Sequence, residues 1–128
     1  YNANPDSMKA GLRVLMEYPA QGRKVAVLGD MLELGEQEIA FHEEIGSFAA
    51  AQGVDNLCTI GTLSKVIEKA ALETNERIQT RHFDNREELT EYLKKLLKPE
   101  DVVLLKGSRG MQLNLVADAL RVDGKIEA

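Results

Sequence analysis

Four short apolar runs, each followed by a stretch of helical periodicity, constrain the fold of this chain most strongly. The runs are residues 24–29, 56–60, 79–83 and 101–105. Between them, apolar residues recur three and four positions apart over about 10 to 16 residues, as in amphipathic helices. Strands that alternate with such helices form parallel sheets with right-handed crossovers. We therefore predict an α/β fold with a three-layer, open, mostly parallel sheet of the Rossmann-like type.

The polarity of the runs predicts the order of the strands. Lys24–Gly29 is apolar enough to be buried on both faces, as a central strand requires. Gln79–Phe83 is the most polar run and suits a sheet edge. In the doubly wound order, the first strand pairs with the second and the fourth, and the third lies beyond the second. The carboxyl ends of the first and fourth strands then meet at a switch point, where folds of this type bind ligands.

A further helix precedes the first strand, since Asn4 can cap it and Pro5 fits its first turn. The helices carry apolar faces that can pack on the sheet. The predicted faces include Met8, Leu12, Leu15 and Met16 on the first helix, Phe41, Ile45 and Phe48 on the second, and Leu115, Val116, Ala119 and Leu120 on the last.

The length of 128 residues suits a single core. We expect one domain over residues 1–121. Residues 122–128 lose the helical periodicity and are expected to form a flexible tail. The first residue is not methionine, and the chain is expected to be cut from a longer protein.

Composition excludes several classes of function. A net charge of -5 at pH 7 argues against nucleic acid as a partner. The longest apolar runs hold about half a dozen residues, far fewer than the roughly 20 that span a bilayer, so membrane insertion is not expected. The lone Cys58 cannot form an intrachain disulfide and suits a reducing compartment. A cytoplasmic protein is the expectation.

The loop at residues 106–111, Lys-Gly-Ser-Arg-Gly-Met, is the first candidate site. It lies between the last strand and a helical pattern, so its two cations are expected at a helix N-terminus, where free N–H groups favour anions. Arg109 can grip a carboxylate through two hydrogen bonds, and Lys106 offers a compact charge. Ser108 can cap the helix or donate to the ligand. The alternative is a solvated turn.

The loop at residues 29–35, Gly-Asp-Met-Leu-Glu-Leu-Gly, is the second candidate. Apolar residues between two acids at the end of a strand indicate a loop that faces substrate. The alternative is that the acids cap the next helix and the apolar residues cover the core. The predicted strand order brings the two loops together. The side chains expected to face one crevice are Asp30, Glu33, Lys106, Ser108 and Arg109.

Motifs that hold a nucleotide are missing from the sequence. Neither Gly-x-x-x-x-Gly-Lys-Ser/Thr nor Gly-x-Gly-x-x-Gly occurs, so a hydrolysed nucleotide would be held mainly elsewhere. No metal site is predicted, because His42 and His82 together do not form one. A histidine placed like His42, on a helix beside apolar residues, is most often structural.

Three segments together resemble the C-terminal domain of the Mur ligases. They are residues 1–8 (Tyr-Asn-Ala-Asn-Pro-Asp-Ser-Met), residues 28–35 (Leu-Gly-Asp-Met-Leu-Glu-Leu-Gly) and residues 106–111. Their order and spacing extend the resemblance over almost the entire chain. The resemblance implies that this is the third of three domains, and that the N-terminal domain and the central ATPase domain lie outside the chain.

The resemblance implies an ATP-dependent amide ligase of cytoplasmic peptidoglycan synthesis. The implied reaction adds D-Ala-D-Ala to UDP-N-acetylmuramoyl-tripeptide through an acyl phosphate. The implied cofactors are ATP and Mg²⁺, bound mainly by the absent central domain. That domain and the two substrates are the expected partners. The isolated domain is expected to be inactive.

The resemblance also implies roles for single residues. Tyr1, Asn2 and Asn4 would lie near the ATP ribose and phosphates. Asp30 would act in catalysis by orienting the incoming amine or a neighbouring cation.

The cations of the 106–111 loop would act at the same centre. Lys106 and Arg109 would hold the dipeptide carboxylate or screen the crowded anions, a catalytic task that needs positive charge. Glu33, Ser108 and Arg109 would bind substrate. Family members often carry an acid three positions after the methionine of the 106–111 loop, whereas this chain has Asn114 there. No carboxylate role is therefore assigned to that position.

A receiver-like phosphorylatable signalling module is the alternative function. Receivers have a similar length, an alternating α/β pattern and a lysine after the last strand. They also need an acidic pair after the first strand, and Asp30-Met31 does not supply it. Labelling by a small phosphodonor that is lost in Asp30→Asn would favour this alternative.

Overall fold

Helices and strands alternate along the part of the chain that the computed structural model describes, residues 3–122 and 124. In chain order the elements are α1 (Pro5–Glu17), β1 (Lys24–Gly29), α2 (Glu38–Gln52), β2 (Asn56–Ile60), α3 (Lys65–Thr74), β3 (Gln79–Phe83), α4 (Arg86–Leu96), β4 (Val102–Lys106) and α5 (Leu113–Val122). Short 3-10 turns at Gly35–Gln37 and Arg109–Met111 precede α2 and α5. The fourth strand begins and ends one residue later than the sequence predicts.

The four strands form one parallel sheet in the order β3-β2-β1-β4. In the register, Val27 of β1 lies opposite Cys58 of β2 on one side and Leu105 of β4 on the other. This order confirms the predicted switch point between β1 and β4. It also confirms the edge position of β3, in which Gln79 and Arg81 are exposed.

Apolar side chains cover both faces of the sheet and make three layers. On one face, Ala26, Leu28 and Leu57 pack with the apolar sides of α1, α2 and α3. On the other face, Val25 and Val27 pack with α4 and α5. Side chains alternate between the faces of a strand, so consecutive residues of β1 belong to different clusters. The predicted α/β class is confirmed.

The buried face of α2 differs from the predicted one. Phe41 and Phe48 are only half-buried, whereas His42, Ile45 and Ala49 are buried. A side chain at Gly46 would collide with the backbone of Ile67, so α2 and α3 approach closely through small residues. Bulky phenylalanines are therefore displaced to the flanks of the contact. The ring of Phe48 instead lies under the cations of two α1 residues, Lys9 at 5.7 Å and Arg13 at 5.2 Å.

The apolar face of α5 is also shifted from the predicted one. Leu115 is 46% exposed, and the buried residues are Leu113, Val116 and Leu120. Gln112, just before the helix, has a left-handed backbone with φ 51°. This residue ends the 3-10 turn and thereby determines which side chains of α5 face the sheet. The spacing of apolar residues in the sequence does not show this change of backbone. The predicted tail lies mostly outside the described residues, although α5 includes Val122.

Two features lie away from the carboxyl edge of the sheet. At its amino edge, Arg23 donates to the Asp101 carboxylate, with Nη2 at 2.7 Å from Oδ2. The backbone N–H groups of Arg23 and Lys98 donate to the same carboxylate at 2.8 and 2.9 Å.

Cys58, in the middle of β2, is 1% exposed.

Candidate functional site

The carboxyl ends of β1 and β4 approach each other closely at two glycines. A Cβ atom on Gly107 would lie 3.0 Å from the Cα atom of Gly29. A Cβ atom on Gly29 would lie 2.8 Å from Cγ of Met111. Larger residues would therefore push the strand ends apart. The glycines bring the 29–35 loop against the 106–111 loop, as the predicted strand order requires.

Ser108 joins the two loops and is almost fully buried, at 1% exposure. Its backbone N–H donates to the carbonyl oxygen of Asp30 at 2.9 Å. Its Oγ accepts a hydrogen bond from the backbone N–H of Leu32 at 2.8 Å. The side chain caps no helix, in contrast to one of the two sequence-based expectations. Ser108 thus positions the loops by contacts within the protein.

The carboxylate of Asp30 faces the loop between β2 and α3. It is 5% exposed, and its Oδ1 accepts a hydrogen bond from the N–H of Ser64 at 2.8 Å. Ser64 immediately precedes α3, whose N-terminus favours negative charge. A Cβ atom on Gly61 would lie only 2.5 Å from Oδ1, so glycine is required beside the carboxylate. Gly61 also has φ 113°, a backbone that glycine adopts at low cost.

His42 is a buried polar residue of this site whose contacts sequence reasoning did not predict. Its Nε2 accepts a hydrogen bond from the N–H of Met31 at 3.0 Å, and its Nδ1 lies 2.6 Å from the carbonyl oxygen of Glu38. The side chain is fully buried. The only local signal is a histidine one turn after the start of α2, which is insufficient to identify a partner in another loop.

Glu33 follows this anchored segment and is exposed. Its backbone is left-handed, with φ 62°. For a residue other than glycine this conformation is disfavoured, and it persists where the surroundings determine it strongly. The neighbouring Leu32 approaches the other loop, because a Cβ atom on Gly110 would lie 3.5 Å from its Cδ1.

Lys106 and Arg109 flank the Gly107-Ser108 pair. Lys106 is the last residue of β4 and is half-buried. Its side chain lies along α1, with Cδ 3.2 Å from the position of a Cβ atom on Gly11. Arg109 is exposed and begins the 3-10 turn. The cations are therefore not at the N-terminus of α5, which begins only at Leu113, and this differs from the predicted geometry.

The remaining predicted site residues lie at the start of the chain. Asn4 caps α1 through its Oδ1, which accepts from the N–H of Ser7 at 2.9 Å, and the Ser7 hydroxyl completes a capping box. Tyr1 and Asn2 lie outside the described residues. Asn4 accordingly has a structural role that accounts for its position.

The described residues contain no group of three or more histidine, cysteine, aspartate or glutamate side chains that could hold a metal ion. Within residues 3–122, no helix has the length and apolar character needed to cross a membrane. At the carboxyl edge of the sheet, the buried polar side chains Asp30, His42 and Ser108 bind backbone groups. The exposed charges of Glu33 and Arg109 lie on the loops that these residues hold.

Comparison with known proteins connects this geometry to a family. Residues 1–109 match the family model described as "Mur ligase, glutamate ligase domain". The UDP-N-acetylmuramoyl-tripeptide--D-alanyl-D-alanine ligase of Bacillus subtilis is 37% identical over 120 residues, which cover 94% of this chain and 26% of the relative. The enzyme of the same name from Escherichia coli is 38% identical over 126 residues, 97% of this chain and 26% of the relative.

Solved structures give the same result. MurF from Acinetobacter baumannii superimposes with a TM-score of 0.80 and 28% identity, over 94% of this chain and 27% of that chain. The complex of MurF ligase from Thermotoga maritima with ADP superimposes with a TM-score of 0.75 and 27% identity, over 96% of this chain and 27% of that one. This chain spans about a quarter of the length of these proteins.

The receiver alternative is not supported by these comparisons. The strand order also differs, because β1 pairs with β4 here, whereas in the flavodoxin-like order of receiver proteins the first strand pairs with the third. The family model covers most of the sequence, including the segments at residues 1–8 and 28–35 and the first part of the 106–111 loop. The chain therefore belongs to the Mur ligase family, as its glutamate ligase domain.

Proposed function

We propose that this chain is the C-terminal domain of an ATP-dependent ligase that joins D-Ala-D-Ala to UDP-N-acetylmuramoyl-tripeptide in peptidoglycan synthesis. The observation that carries the proposal is the meeting of the 29–35 and 106–111 loops at the switch point, where Ser108 binds Leu32. The relatives named for this reaction match 94% and 97% of this chain, so the similarity includes both loops and the elements that carry them. We propose the cytoplasm as the place of the reaction, since ATP and nucleotide-linked precursors are available there.

The charges on the two loops fit the incoming dipeptide. D-Ala-D-Ala carries an ammonium group at one end and a carboxylate at the other. Arg109 is exposed and can bind the carboxylate through two parallel hydrogen bonds. Glu33 is exposed on the facing loop and has the charge to attract the ammonium group. Lys106 adds positive charge where phosphoryl transfer concentrates negative charge.

Asp30 and Ser108 are buried next to the exposed charges of the two loops. The Asp30 carboxylate accepts from the N–H of Ser64, which fixes its position, and we propose that it orients the amine or a neighbouring cation. Ser108 acts on substrate indirectly, because its Oγ already accepts from Leu32.

ATP and Mg²⁺ would be held mainly by a central ATPase domain of the same protein. The described residues supply no cluster of metal ligands, and the sequence has no glycine-rich phosphate loop. The residues of this chain proposed to approach the ATP are Tyr1, Asn2 and Asn4. The cap of α1 leaves the amide nitrogen of Asn4 able to donate to a ribose or phosphate oxygen.

A ligation assay on the full-length protein tests the proposal. The protein is incubated with ATP, Mg²⁺, UDP-N-acetylmuramoyl-tripeptide and D-Ala-D-Ala, and the pentapeptide product is measured by mass spectrometry together with phosphate release. We expect equal amounts of product and phosphate, and no product when the dipeptide is replaced by a single amino acid. Equal ligation of a single amino acid to the tripeptide would contradict the proposed specificity for the dipeptide.

The same assay tests the division of labour between domains. The 128-residue chain alone is expected to form no product and to hydrolyse no ATP, because the proposed ATPase domain is outside it. Ligation by the chain alone would contradict this division.

A further inference from the structure

The backbone just before Glu33 is anchored at three consecutive residues. The carbonyl of Asp30 accepts from the N–H of Ser108, and the N–H of Leu32 donates to the Oγ of Ser108. Between them, the N–H of Met31 donates to Nε2 of His42 at 3.0 Å. The outer two anchors belong to the 106–111 loop, and the middle one comes from α2. The segment is thus fixed from two directions.

The partners of His42 determine the tautomer of its imidazole. A backbone N–H can only donate, so Nε2 must be without a proton to accept from Met31. A carbonyl oxygen can only accept, so Nδ1 must carry the proton that binds Glu38, at 2.6 Å. The geometry therefore specifies the neutral imidazole with its proton on Nδ1. The bond to Glu38 holds the ring in the orientation that Met31 requires.

Glu33 needs such support. Its φ of 62° is in the left-handed region, which a glutamate adopts only when its neighbours fix the chain. The side chain of Glu33 is exposed, so burial of this side chain in the apolar core does not hold its backbone in place. The hydrogen bonds of residues 30–32 fix the chain immediately before this residue.

We propose that His42 is a positioning residue for substrate binding. By accepting from Met31 it holds Glu33 in place beside the loop that carries Arg109. The involvement of substrate rests on the proposed function, whereas the effect on the loop does not. Without the acceptor, the buried N–H of Met31 has no partner, and the loop must rearrange to satisfy it.

Three substitutions separate the acceptor from the packing of the ring. His42→Leu fills space without an acceptor. His42→Gln places an amide oxygen four bonds from Cα, as Nε2 is, and can accept from Met31. His42→Asn places its amide at the position of Nδ1 and cannot reach Met31. Leu93→Val, in the core on the other face of the sheet, is the matched control for a general loss of packing.

Two measurements on the full-length protein test the proposal. The first is hydrogen–deuterium exchange of the peptide that contains residues 30–34, which needs no activity. The second is kcat/KM for D-Ala-D-Ala beside KM for the nucleotide substrate. For His42→Leu and His42→Asn we expect faster exchange in this peptide and a roughly tenfold lower kcat/KM for the dipeptide, the equivalent of one net hydrogen bond. The nucleotide KM should remain unchanged.

For His42→Gln we expect near wild-type exchange and kinetics, and for Leu93→Val no selective change in this peptide. Wild-type exchange in both His42→Leu and His42→Asn would overturn the proposal, and so would a His42→Gln variant as impaired as His42→Leu. Faster exchange with unchanged dipeptide kinetics would overturn the link to substrate. If the wild-type protein does not ligate D-Ala-D-Ala, the proposed function fails, and the exchange data still decide whether His42 holds the loop.

Discussion

The Oγ atom of Ser108 accepts a hydrogen bond from the backbone N–H of Leu32 at 2.8 Å, across 76 positions of sequence. The serine is 1% exposed, so water cannot replace this acceptor without a rearrangement. Because the same residue donates its own N–H to Asp30, it fixes both strand ends at the switch point. Loss of the hydroxyl therefore affects the stability of the fold as well as the shape of the site.

Ser108→Ala is expected to lower the free energy of unfolding by roughly 1 to 3 kcal/mol, the cost of a buried N–H without a partner. Urea denaturation of the wild type and the variant measures this difference. Ser47→Ala is the control, since this half-buried serine of α2 makes no hydrogen bond through its side chain with the described residues. Equal stability of Ser108→Ala and wild type would show that the loops join by other means.

Asp30→Asn and Asp30→Ala distinguish the charge of this residue from its hydrogen bond. Asparagine keeps an oxygen that can accept from Ser64, so its effect on unfolding should be about 1 kcal/mol, whereas alanine should cost roughly 1 to 3 kcal/mol. If the carboxylate orients the amine, kcat of the asparagine variant should fall by about 100-fold despite its intact fold. Steady-state ligation kinetics and urea denaturation provide the two values. Normal kcat in Asp30→Asn would leave Asp30 with a structural role alone.

Much of the fold could be predicted because it depends on local patterns. The alternation of strands and helices determines the parallel sheet, and the polarity of Gln79–Phe83 identifies it as an edge strand. Chain handedness then leaves few strand orders to consider. The proximity of the 29–35 and 106–111 loops follows from that order, so it was accessible from the sequence.

The contacts within the site could not be predicted, because they join residues that are distant in sequence. Nothing near His42 indicates that its ring accepts from Met31, and nothing near Ser108 indicates Leu32 as its donor. The phase of α5 depends on the left-handed Gln112, a conformation uncommon for a residue other than glycine. These features are decided by tertiary structure.

Arg109→Ala tests the proposed grip on the dipeptide carboxylate. We expect kcat/KM for D-Ala-D-Ala to fall by the equivalent of roughly 1.5 to 3 kcal/mol, the value of a charged hydrogen bond, without loss of stability. Arg109→Lys should recover only part of the loss, because lysine cannot form two parallel hydrogen bonds. Arg121→Ala, which removes another exposed arginine but only a surface ion pair with Asp118, is the control. Unchanged kinetics in Arg109→Ala would remove Arg109 from the site.

Cys58 is expected to resist thiol reagents in the folded protein. Burial raises the pKa of its thiol to about 12, although the charge of Arg81 partly opposes this shift. At pH 8 only about one molecule in ten thousand would carry the reactive thiolate, and the sulfur is also shielded from solvent. Labelling with a maleimide, followed by mass spectrometry, should therefore be slow in buffer and rapid in urea. Rapid labelling without denaturant would show that the centre of the sheet opens easily.

Asp101→Asn should reduce the change in the free energy of unfolding that occurs as the pH falls through the acid range. Desolvation by itself would raise the pKa of Asp101, but the hydrogen bonds from Arg23 and from the backbone N–H of Lys98 together lower it below its usual range. A carboxyl group with a lower pKa in the folded state stabilises the fold above its unfolded pKa of about 3.9. That contribution is lost as the pH falls through the folded pKa. The charge of Arg23 persists throughout, since the hydrogen bond to Asp101 raises its pKa further.

Urea denaturation at pH 7 and at about pH 3 measures this dependence. At pH 7 the variant should be less stable than the wild type by roughly 1 to 3 kcal/mol, a value kept low because the partner Arg23 is 32% exposed. The difference should begin to shrink below about pH 4, where the unfolded chain takes up the proton, and should continue to shrink as the pH falls through the lower folded pKa, where the wild-type carboxyl group also loses its charge. Asp118→Asn, at an exposed ion pair on α5, should change stability little at either pH. A constant difference between wild type and Asp101→Asn at both pH values would mean that the carboxylate stabilises the fold by its shape and hydrogen bonds and that its charge contributes nothing.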